Sequence, residues 1–411
     1  MPNADEAKPH GPLAGIRVLD ITRVLAGPWA SQLLADYGAE VIKLERPVQG
    51  DDTRRWGPPW LQDRNGRETG DSAYFLSTNR NKRSVTVNLG HPDGAQLARD
   101  LAARADVIME NFKVGTMQKF GLDFAALSTL NPALVYCSIS AYGQQGSRSL
   151  KPGYDAMIQA SGGLMSITGE PDGSPQKVGV AIADIMAGMY AATAILAALV
   201  ERDRSGKGQY LDVPLYDSQV AWLANQNMNF LIGNEVPGRL GTAHPNLVPY
   251  QAFQCADGFL MLAVGNDRQF RACCECLGIA ATGTDDRFAT NATRVANRAD
   301  LIEIMTDAFM GRPAAYWLDA LGEQGVPAGP IQSIGDVLCD EFAEERELVR
   351  VLAHADGTTV PTVANPVRFS ETPVEYRHAP PRLGQHTIEV LSEELGLDDA
   401  RIRTLQESGA I

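Results

Sequence analysis

The sequence GIRVLDITRVLAGPWASQLLADYGAEVIKLERP, residues 15–47, establishes the architecture of the chain. Residues 16–21 predict a buried strand, and residues 40–45 predict a second one. Between them, residues 29–37 carry apolar side chains at helical spacing, with Pro28 expected at the first helical position. A strand, a helix and a strand of these lengths form a βαβ unit, which implies a parallel sheet covered by helices.

The same alternation continues along the first half of the chain. Further strands and helices are predicted at residues 83–89, 91–104, 106–110, 134–140 and 184–200. We therefore expect an α/β fold with a Rossmann-like, doubly wound parallel sheet in a large domain, the N-terminal part of which spans residues 11–220.

A different pattern begins near residue 225. Its predicted elements are a β-hairpin and two helices, at residues 250–253, 259–264, 267–277 and 297–310. A smaller α+β domain is accordingly expected over residues 225–330. Residues 331–411 are expected to form a linker and a C-terminal part that returns to the large domain, and the first ten residues are expected to form a loose tail.

The charge balance limits the partners of the protein. The 411 residues carry a formal net charge of −14, and no cationic cluster is longer than the pair Lys82 and Arg83. A nucleic acid or an anionic membrane would require a basic surface, so neither partner is expected. Small anionic ligands remain possible, because a few local cations and backbone N–H groups can hold a phosphate.

The cysteine content and the lengths of the apolar segments indicate the cellular compartment of the protein. Six cysteines are too few for a disulfide scaffold, and their spacing does not match a metal site, so no metal is expected. The N-terminus has no apolar signal region, and the apolar run at residues 187–200 is shorter than the ~20 residues that span a bilayer. A soluble, cytoplasmic protein is predicted.

A dinucleotide site is one candidate at the first strand–helix turn. Such a site requires the pattern GxGxxG, whereas residues 22–27 contain only Gly27. Glu45 does end the second strand, where a ribose-binding acid would lie, so an NAD-linked oxidoreductase stays as a weak alternative. The loop precedes a helix, and its backbone N–H groups could hold a carboxylate or thioester oxygen instead.

Asp184 is the principal catalytic candidate. It follows the apolar residues 178–183 and precedes a helix, so it could simply be an N-cap. Alternatively, the helix dipole would keep its carboxylate ionised at neutral pH and ready to attack a thioester. The preceding glycine-rich segment, residues 153–179, is either a surface loop or a lid over such a site. No HExxH or GxSxG pattern occurs, which disfavours a hydrolase.

Seven blocks of sequence carry a resemblance to one known family. They are residues 15–47, NRNKRSV (79–85), DVIMENFKVGTM (106–117), PGYDAMIQASGG (152–163), VGVAIADIMAGMYAATAILAAL (178–199), GKGQYLDVPLYD (206–217) and PPRLGQHTIEVL (380–391). In these blocks and in their order, the chain resembles the class III CoA-transferases, the group of formyl-CoA transferase and carnitine CoA-transferase, over essentially its whole length.

The resemblance implies a set of site residues. The family's nucleophilic aspartate falls on Asp184, with Tyr154 and Asp155 beside it as further CoA-binding residues. The family's CoA contacts fall on Val24, Leu25, Ala26, Arg46, Val87, Asn88, Leu89, Gly90, Asn111, Phe112, Lys113 and Lys119. It also implies coenzyme A or acyl-CoA as substrate, no tightly bound cofactor, and an interlocked homodimer.

Several positions depart from particular family members. Leu25 replaces a glutamine of formyl-CoA transferase and Lys119 replaces an arginine, and a run of four glycines is absent. Formate and oxalate are therefore not expected as substrates. The α-methylacyl-CoA racemases of the same superfamily use a histidine where Tyr154 stands here. A phenol with a pKa near ~10 is a poor base at neutral pH, so a racemase is the less favoured alternative.

The block GTAHPNLVPYQAFQCADGFLMLAVGN (241–266) most resembles the succinyl-CoA:dicarboxylate members, such as succinate–hydroxymethylglutarate CoA-transferase. This resemblance implies succinyl-CoA as the donor and a short dicarboxylic acid as the acceptor. Arg239 and His244 either help to hold the distal carboxylate or belong to a linker.

Overall fold

The structure is a computed structural model that describes residues 11–411, so the predicted N-terminal tail lies outside the described residues. The chain divides into two compact units. The large unit comprises the described residues up to Gly163, Val178–Met228 and Glu341–Ile411, and the small unit comprises Leu164–Lys177 and Asn229–Asp340.

The strands of the described residues are β1 (Arg17–Asp20), β2 (Glu40–Glu45), β3 (Trp60–Gln62), β4 (Glu68–Ser72), β5 (Lys82–Thr86), β6 (Val107–Glu110), β7 (Val135–Ser140), β8 (Tyr210–Pro214), β9 (Tyr250–Gln254), β10 (Phe259–Ala263), β11 (Ala328–Pro330), β12 (Val349–Ala353) and β13 (Thr359–Val363).

The α-helices are α1 (Ala26–Asp36), α2 (Ala73–Leu76), α3 (Pro92–Ala102), α4 (Thr116–Lys119), α5 (Phe124–Leu130), α6 (Asp155–Ser161), α7 (Leu164–Ile167), α8 (Ile182–Ser205), α9 (Leu215–Trp222), α10 (Asn225–Gly233), α11 (Asp267–Cys276), α12 (Asn291–Ala296), α13 (Arg298–Phe309), α14 (Ala314–Glu323), α15 (Ile334–Cys339), α16 (Glu341–Glu345), α17 (Thr387–Leu395) and α18 (Asp399–Glu407). Short 3₁₀ helices lie at Asp52–Arg55, Thr282–Thr284 and Asp286–Phe288.

The large unit is built on a six-stranded sheet in the order β5-β2-β1-β6-β7-β8. Every neighbouring pair in it is parallel. With the six strands counted along the chain, this order is 3-2-1-4-5-6, the order of dinucleotide-binding folds. The predicted α/β class with a parallel sheet is confirmed. The order reverses between β1 and β6, and ligands bind in the crevice beyond the strand ends at such a point.

Both faces of this sheet are covered by helices. Successive side chains of a strand point to opposite faces, so the pairs Val18/Leu19 and Val107/Ile108 divide between two cores. One core contains Leu34 of α1 and Ile195 of α8. The other contains side chains of α3 and Val390 of α17. Strands buried on both faces explain the near-continuous apolar runs in the sequence.

Helix α8 packs closely against α1 because Gly188 has no side chain. A Cβ atom at Gly188 would lie 2.6 Å from the carbonyl oxygen of Ala26. Gly27 makes a similar approach within its own turn, since a Cβ there would lie 2.3 Å from Cβ of Thr22. These glycines bring the start of α1 next to the first turns of α8.

Two details of the sequence prediction are wrong, and one strand of the central sheet is missing from it. Helix α1 begins at Ala26, so Pro28 is its third residue instead of its first. Helix α8 begins at Ile182, so Asp184 lies within the first turn and is not the N-cap, a position that Ala181 occupies. Strand β8 is the missing strand, and it lacks the buried apolar run of the central strands, since Val213 is its one buried residue.

Helix α8 is longer than the apolar run that the sequence indicates. Among the described residues it is the one helix long and apolar enough to cross a membrane, with a mean hydropathy of 1.8 in a window that is 44% buried. Ala187, Ala191 and Ile195 of this helix belong to the core beside the sheet. These contacts make α8 a core helix of the large unit.

In the small unit, β9 and β10 form the predicted antiparallel hairpin, and β11 pairs with β10 on its other side. Helices α11 and α13 lie close to the predicted positions and pack with the hairpin around Phe253, Phe270 and Phe309. In the large unit, α17 and α18 near the C-terminus pack with α3 through Leu97, Leu391 and Leu405.

Candidate active site

Asp184 lies in the first turn of α8, and only 8% of the residue is exposed. The carboxylate of Asp155, the first residue of α6, occupies the end of this helix. Its Oδ1 accepts hydrogen bonds from the backbone N–H groups of Ala183 (2.8 Å) and Asp184 (3.4 Å). Asp155 thus provides the cap that the N-cap residue Ala181 cannot provide, and it places a second carboxyl group beside Asp184.

The pKa of Asp184 is raised to about 7. Burial of the carboxyl group is the larger cause, because it disfavours the charged form, and the charge of Asp155 is the second. Burial and the neighbouring carboxylate thus act against the ionisation that the helix dipole is expected to favour, so part of the population is protonated near neutral pH.

A cleft with an empty volume of about 1220 Å³ opens in front of Asp184, and we call it the Asp184 cleft. Its walls come from the segments that follow β1, β6 and β7 and from residues 149–154. It therefore lies where the strand order reverses. The predicted site residues that line it are Asp184, Val24, Leu25, Ala26, Asn111, Phe112, Lys113 and Tyr154.

A second cavity adjoins this cleft, because Arg23 and Phe112 line both. We call it the adjoining pocket, and its empty volume is about 490 Å³. It contains three further predicted residues, Arg46, Val87 and Leu89. The sequence-predicted contacts therefore fall mainly into two connected spaces of the large unit.

Besides Asp155, which caps α8, three predicted contacts lie outside both cavities. Asn88 binds the C-terminal end of the chain, since its N–H donates to the carbonyl of Ala410 and its side-chain amide donates to that of Gly409. Gly90 donates its N–H to the side-chain oxygen of Asn88. Lys119 ends α4 with an exposed side chain.

The structure adds cationic residues that the sequence analysis did not select. Arg23 and Lys151 line the Asp184 cleft, and Arg23 stacks over the ring of Phe112 at 5.1 Å. Arg23 and Arg46 both bind the carboxylate of Asp52, at 2.8 and 2.9 Å. Arginine forks of this kind also suit phosphate groups. Their position in the sequence could have indicated them, since Arg23 lies within the family-like block 15–47 and Lys151 directly precedes the block 152–163.

Tyr74 is a second residue that sequence reasoning missed. Its pKa is raised to about 12, first by burial and then by the negative charges of Asp184, Asp155 and Asp51. The phenol is therefore protonated at neutral pH and is a hydrogen-bond donor close to the carboxyl groups of the site.

Arg239 and His244 have local partners within the small unit. The guanidinium of Arg239 donates to the carbonyls of Glu170, Pro171 and Gly173, and so fixes a turn of the glycine-rich segment. Nδ1 of His244 accepts hydrogen bonds from two backbone N–H groups, at residues 246 and 247. Burial, with the charge of Arg298 as a second cause, lowers the pKa of His244, which favours the neutral ring.

The large unit is a parallel α/β fold with a cleft at the point where the strand order reverses. Cations lie near a buried carboxyl group in this cleft. Such an arrangement suits an anionic ligand that contains a nucleotide. No group of His, Cys, Asp and Glu side chains suited to a metal ion occurs within residues 11–411.

Comparison with known proteins gives the family. The chain belongs to CoA-transferase family III, whose model matches residues 13–387. It is 50% identical over 382 residues to a succinate–glutarate CoA-transferase of Agrobacterium fabrum, covering 93% of this chain and 95% of the relative. It is 43% identical over 400 residues to a succinyl-CoA:glutarate CoA-transferase of Mus musculus, covering 97% and 90%.

A solved structure supports the same assignment. A CaiB/BaiF family protein from Brucella suis is 44% identical, with a TM-score of 0.83 over 94% of this chain and 100% of that one. The resemblance found in the sequence is confirmed, and the protein is a CoA-transferase.

Proposed function

We propose that this protein transfers CoA from succinyl-CoA to a dicarboxylic acid, with glutarate as the first candidate, through covalent intermediates on Asp184. The observation that carries the proposal is the buried Asp184 carboxyl group at the wall of a cleft large enough for an acyl-CoA arm. The names of the relatives from Agrobacterium fabrum and Mus musculus supply the substrate pair.

The proposed reaction begins with the ionised carboxylate of Asp184. It attacks the thioester carbonyl of the donor, the C–S bond breaks, and a mixed anhydride and CoA thiolate result. The thiolate then attacks the aspartyl carbonyl of the anhydride, so the donor leaves as a free carboxylate and an aspartyl-CoA thioester remains. A carboxylate desolvated in this way is a stronger nucleophile than one in water, which fits the raised pKa of Asp184.

The second half of the reaction reverses these steps with the acceptor. The acceptor carboxylate attacks the aspartyl thioester and expels CoA thiolate, which leaves a second anhydride. The thiolate attacks the acceptor's acyl carbonyl in that anhydride, so acceptor-CoA forms and the Asp184 carboxylate is released. No net proton or electron is exchanged, so the cycle balances without a redox cofactor.

The other residues of the two cavities are assigned to binding the parts of the acyl-CoA substrate. We assign the pantetheine arm to the mainly apolar wall formed by Leu25, Leu150 and Leu215. The phosphates of CoA are assigned to the cations around the adjoining pocket, Arg23 and Arg46, which would exchange Asp52 for the ligand. The oxyanions that form at each carbonyl carbon would be met by backbone N–H groups at the start of α1 and by the Tyr74 hydroxyl.

The decisive experiment removes the nucleophile. Asp184→Ala and Asp184→Asn should each abolish exchange of label between succinate and succinyl-CoA, because neither side chain can form the anhydride. Incubation of the wild type with succinyl-CoA and hydroxylamine should label Asp184, as detected by mass spectrometry. Substantial exchange by either variant would overturn the assignment, and binding of CoA without exchange by the wild type would indicate a non-catalytic protein.

The acceptor is tested by competition among acids. Purified protein with succinyl-CoA should form glutaryl-CoA faster than the CoA thioesters of malate, itaconate or mesaconate. A racemase activity is not proposed, because Tyr154 stands where the superfamily's racemases use a histidine.

We also propose that the protein acts as a homodimer in the cytoplasm. Helix α10 has no buried residue, and its Leu231 and Ile232 are 70% and 79% exposed, as expected of a surface that a partner covers. All six cysteines are free, which suits a reducing compartment. A monomeric mass in light scattering would contradict the dimer.

A further inference from the structure

Val24 has a backbone conformation that its residue type disfavours. Its φ angle is +72°, in the left-handed region where glycine is the usual residue. Valine is β-branched, and such a residue in this region is strained. Strain of this kind persists only where surrounding structure imposes it, and it is concentrated at functional sites. Val24 and the next two residues, Leu25 and Ala26, line the Asp184 cleft.

Side chains from outside the loop impose this conformation. The N–H of Val24 donates to Oδ1 of Asp51 at 3.2 Å. The N–H and carbonyl of Arg23 are bound by the side-chain amide of Asn111, at 2.9 and 2.7 Å. Nζ of Lys43 donates to the carbonyl of Thr22 at 2.9 Å. Three consecutive loop residues are thus held by Lys43, Asp51 and Asn111, which we call the loop-holding residues.

Two of the loop-holding residues form a rigid ion pair. Nζ of Lys43 lies 3.0 Å from Oδ2 of Asp51, and both side chains are fully buried. Asp51 is fixed further by the N–H and hydroxyl of Thr53, at 3.0 and 2.8 Å. The N–H of Asp51 also donates to Oε2 of Glu45 at the end of β2.

Stability alone does not explain a buried ion pair of this kind. Apolar residues of similar volume often replace such a pair with no loss of stability, so its presence is better explained by the geometry that it specifies. The geometry specified here is the course of the loop between β1 and α1. Oδ1 of Asp51 points to Val24, while Oδ2 faces Lys43.

We propose that Asp51 is a positioning residue for CoA transfer. Together with Lys43 and Asn111, it holds Val24 in its left-handed conformation. This conformation fixes Leu25 and Ala26 at the wall of the Asp184 cleft. This inference rests on the proposed chemistry at Asp184. The side chain of Asp51 is fully buried, so we assign it no contact with the acyl group at Asp184. The role of the strained loop is to present a fixed surface to the acyl group at Asp184.

The test combines a disturbed holding group with removal of the strain. In Asp51→Asn the amide N–H₂ group must face either Lys43 or the N–H groups of Val24 and Thr53, which disturbs the contacts that hold the loop. This variant should lower kcat for succinyl-CoA exchange by about tenfold with little change in KM, because small misplacements at a reacting centre carry large rate penalties. Glycine adopts a positive φ without strain, so the double variant Asp51→Asn/Val24→Gly should regain kcat at least about threefold over Asp51→Asn. The matched control Asp51→Asn/Val24→Ala keeps the Cβ atom and should show no recovery.

The outcomes separate positioning from plain structural support. If Asp51 only stabilises Lys43 in the core, the glycine variant will be as slow as the alanine variant, and the proposal is overturned. If Asp51→Asn does not fold by circular dichroism, the same comparison is made with Asn111→Ala in place of Asp51→Asn, and absence of glycine rescue again overturns it. Residual exchange by Asp184→Ala would instead refute the proposed chemistry at Asp184. Rescue by glycine would then still show that Asp51 positions the loop, without linking the loop to Asp184.

Discussion

The pKa of Asp184 links the burial of one residue to the rate of the proposed reaction. Its raised value of about 7 means that the free enzyme carries the Asp184 anion, the proposed nucleophile, in only part of the molecules at neutral pH. We predict that kcat/KM for succinyl-CoA rises about tenfold per pH unit below pH 7 and levels off above it, since this parameter reports the free enzyme's essential groups. A stopped assay from pH 5 to 9 measures the profile. A profile that is already flat at pH 5 would contradict it.

The same raised pKa predicts that the protonated form of Asp184 favours stability, whereas the proposed activity requires the anion. The unfolded chain ionises Asp184 near its ordinary value of 3.8, whereas the folded protein retains the proton up to about pH 7. The folded state therefore binds more protons, and this residue's contribution to stability is lost progressively as pH rises from about 4 to 7.

Asp184→Asn should consequently be inactive yet more stable than the wild type at pH 8, by up to a few kcal/mol at about 1.4 kcal/mol per pKa unit. The advantage should shrink at pH 5, where the wild-type side chain is protonated as well. Urea unfolding at both pH values measures the two differences. An equal difference at pH 5 and pH 8 would mean that Asp184 is not the group with the raised pKa.

The sequence located Asp184 but could not give its protonation. Residue type and local pattern showed an acid at a helix start, and from that the dipole argument predicted ionisation. The deciding quantities were burial and the charge of Asp155, which comes from a different helix. The burial of Asp184 and its distance from Asp155 both depend on how α6 packs against α8. A local sequence pattern contains no information on this packing.

At the scale of elements, the βαβ pattern predicted strands β1 and β2 and helix α1, but not where the helix begins. Apolar periodicity starts at Trp29, whereas the helix starts at Ala26. The chain turns into α1 at Val24, which has a positive φ and donates its N–H to Asp51, while Asn111 binds the preceding Arg23. These side chains lie 27 residues or more along the chain, so the start of α1 is set by tertiary contacts.

Helix α8 depends on a cap from another element, and this gives a prediction at the same scale. Asp155→Ala removes the acceptor for the N–H groups of Ala183 and Asp184, so we expect a loss of about 1 kcal/mol in the free energy of unfolding. Asp155→Asn keeps an acceptor oxygen while removing the charge that raises the pKa of Asp184.

The two Asp155 variants should therefore separate the cap from the charge. In both, the midpoint of the pH profile should move to lower pH, and only the alanine variant should show the full loss of stability. Urea unfolding and the pH dependence of kcat/KM measure the two effects. An unchanged midpoint in Asp155→Asn would show that burial alone sets the pKa of Asp184.

At the scale of the whole chain, distant segments of the large unit are joined by buried polar groups. The carboxylate of Asp36, at the end of α1, accepts from Nε and Nη2 of Arg80 at 3.0 and 2.6 Å. It also accepts from the side-chain amides of Asn81 and Asn365. Arg80 in turn donates to Thr362. The sequence block NRNKRSV marked this region as family-like but could not show that it binds residues almost three hundred positions away.

This network makes Asp36 a strong test of how the C-terminal segment is held. Its side chain is fully buried and that of Arg80 is 6% exposed. Asp36→Asn turns an amide N–H₂ group toward donors and leaves the buried guanidinium without its counter-charge, so we expect a loss of about 3–5 kcal/mol in the free energy of unfolding.

The matched control is Glu347→Gln, which breaks an arginine–carboxylate pair with 42% and 59% exposed side chains. It should cost less than about 1 kcal/mol, because water screens such a pair. Both changes replace a carboxylate by its amide, so their difference in urea unfolding measures the effect of burial. Equal losses would show that residues 341–411 are held by apolar packing, such as that of Leu391 and Leu405, and that the Asp36 network adds little.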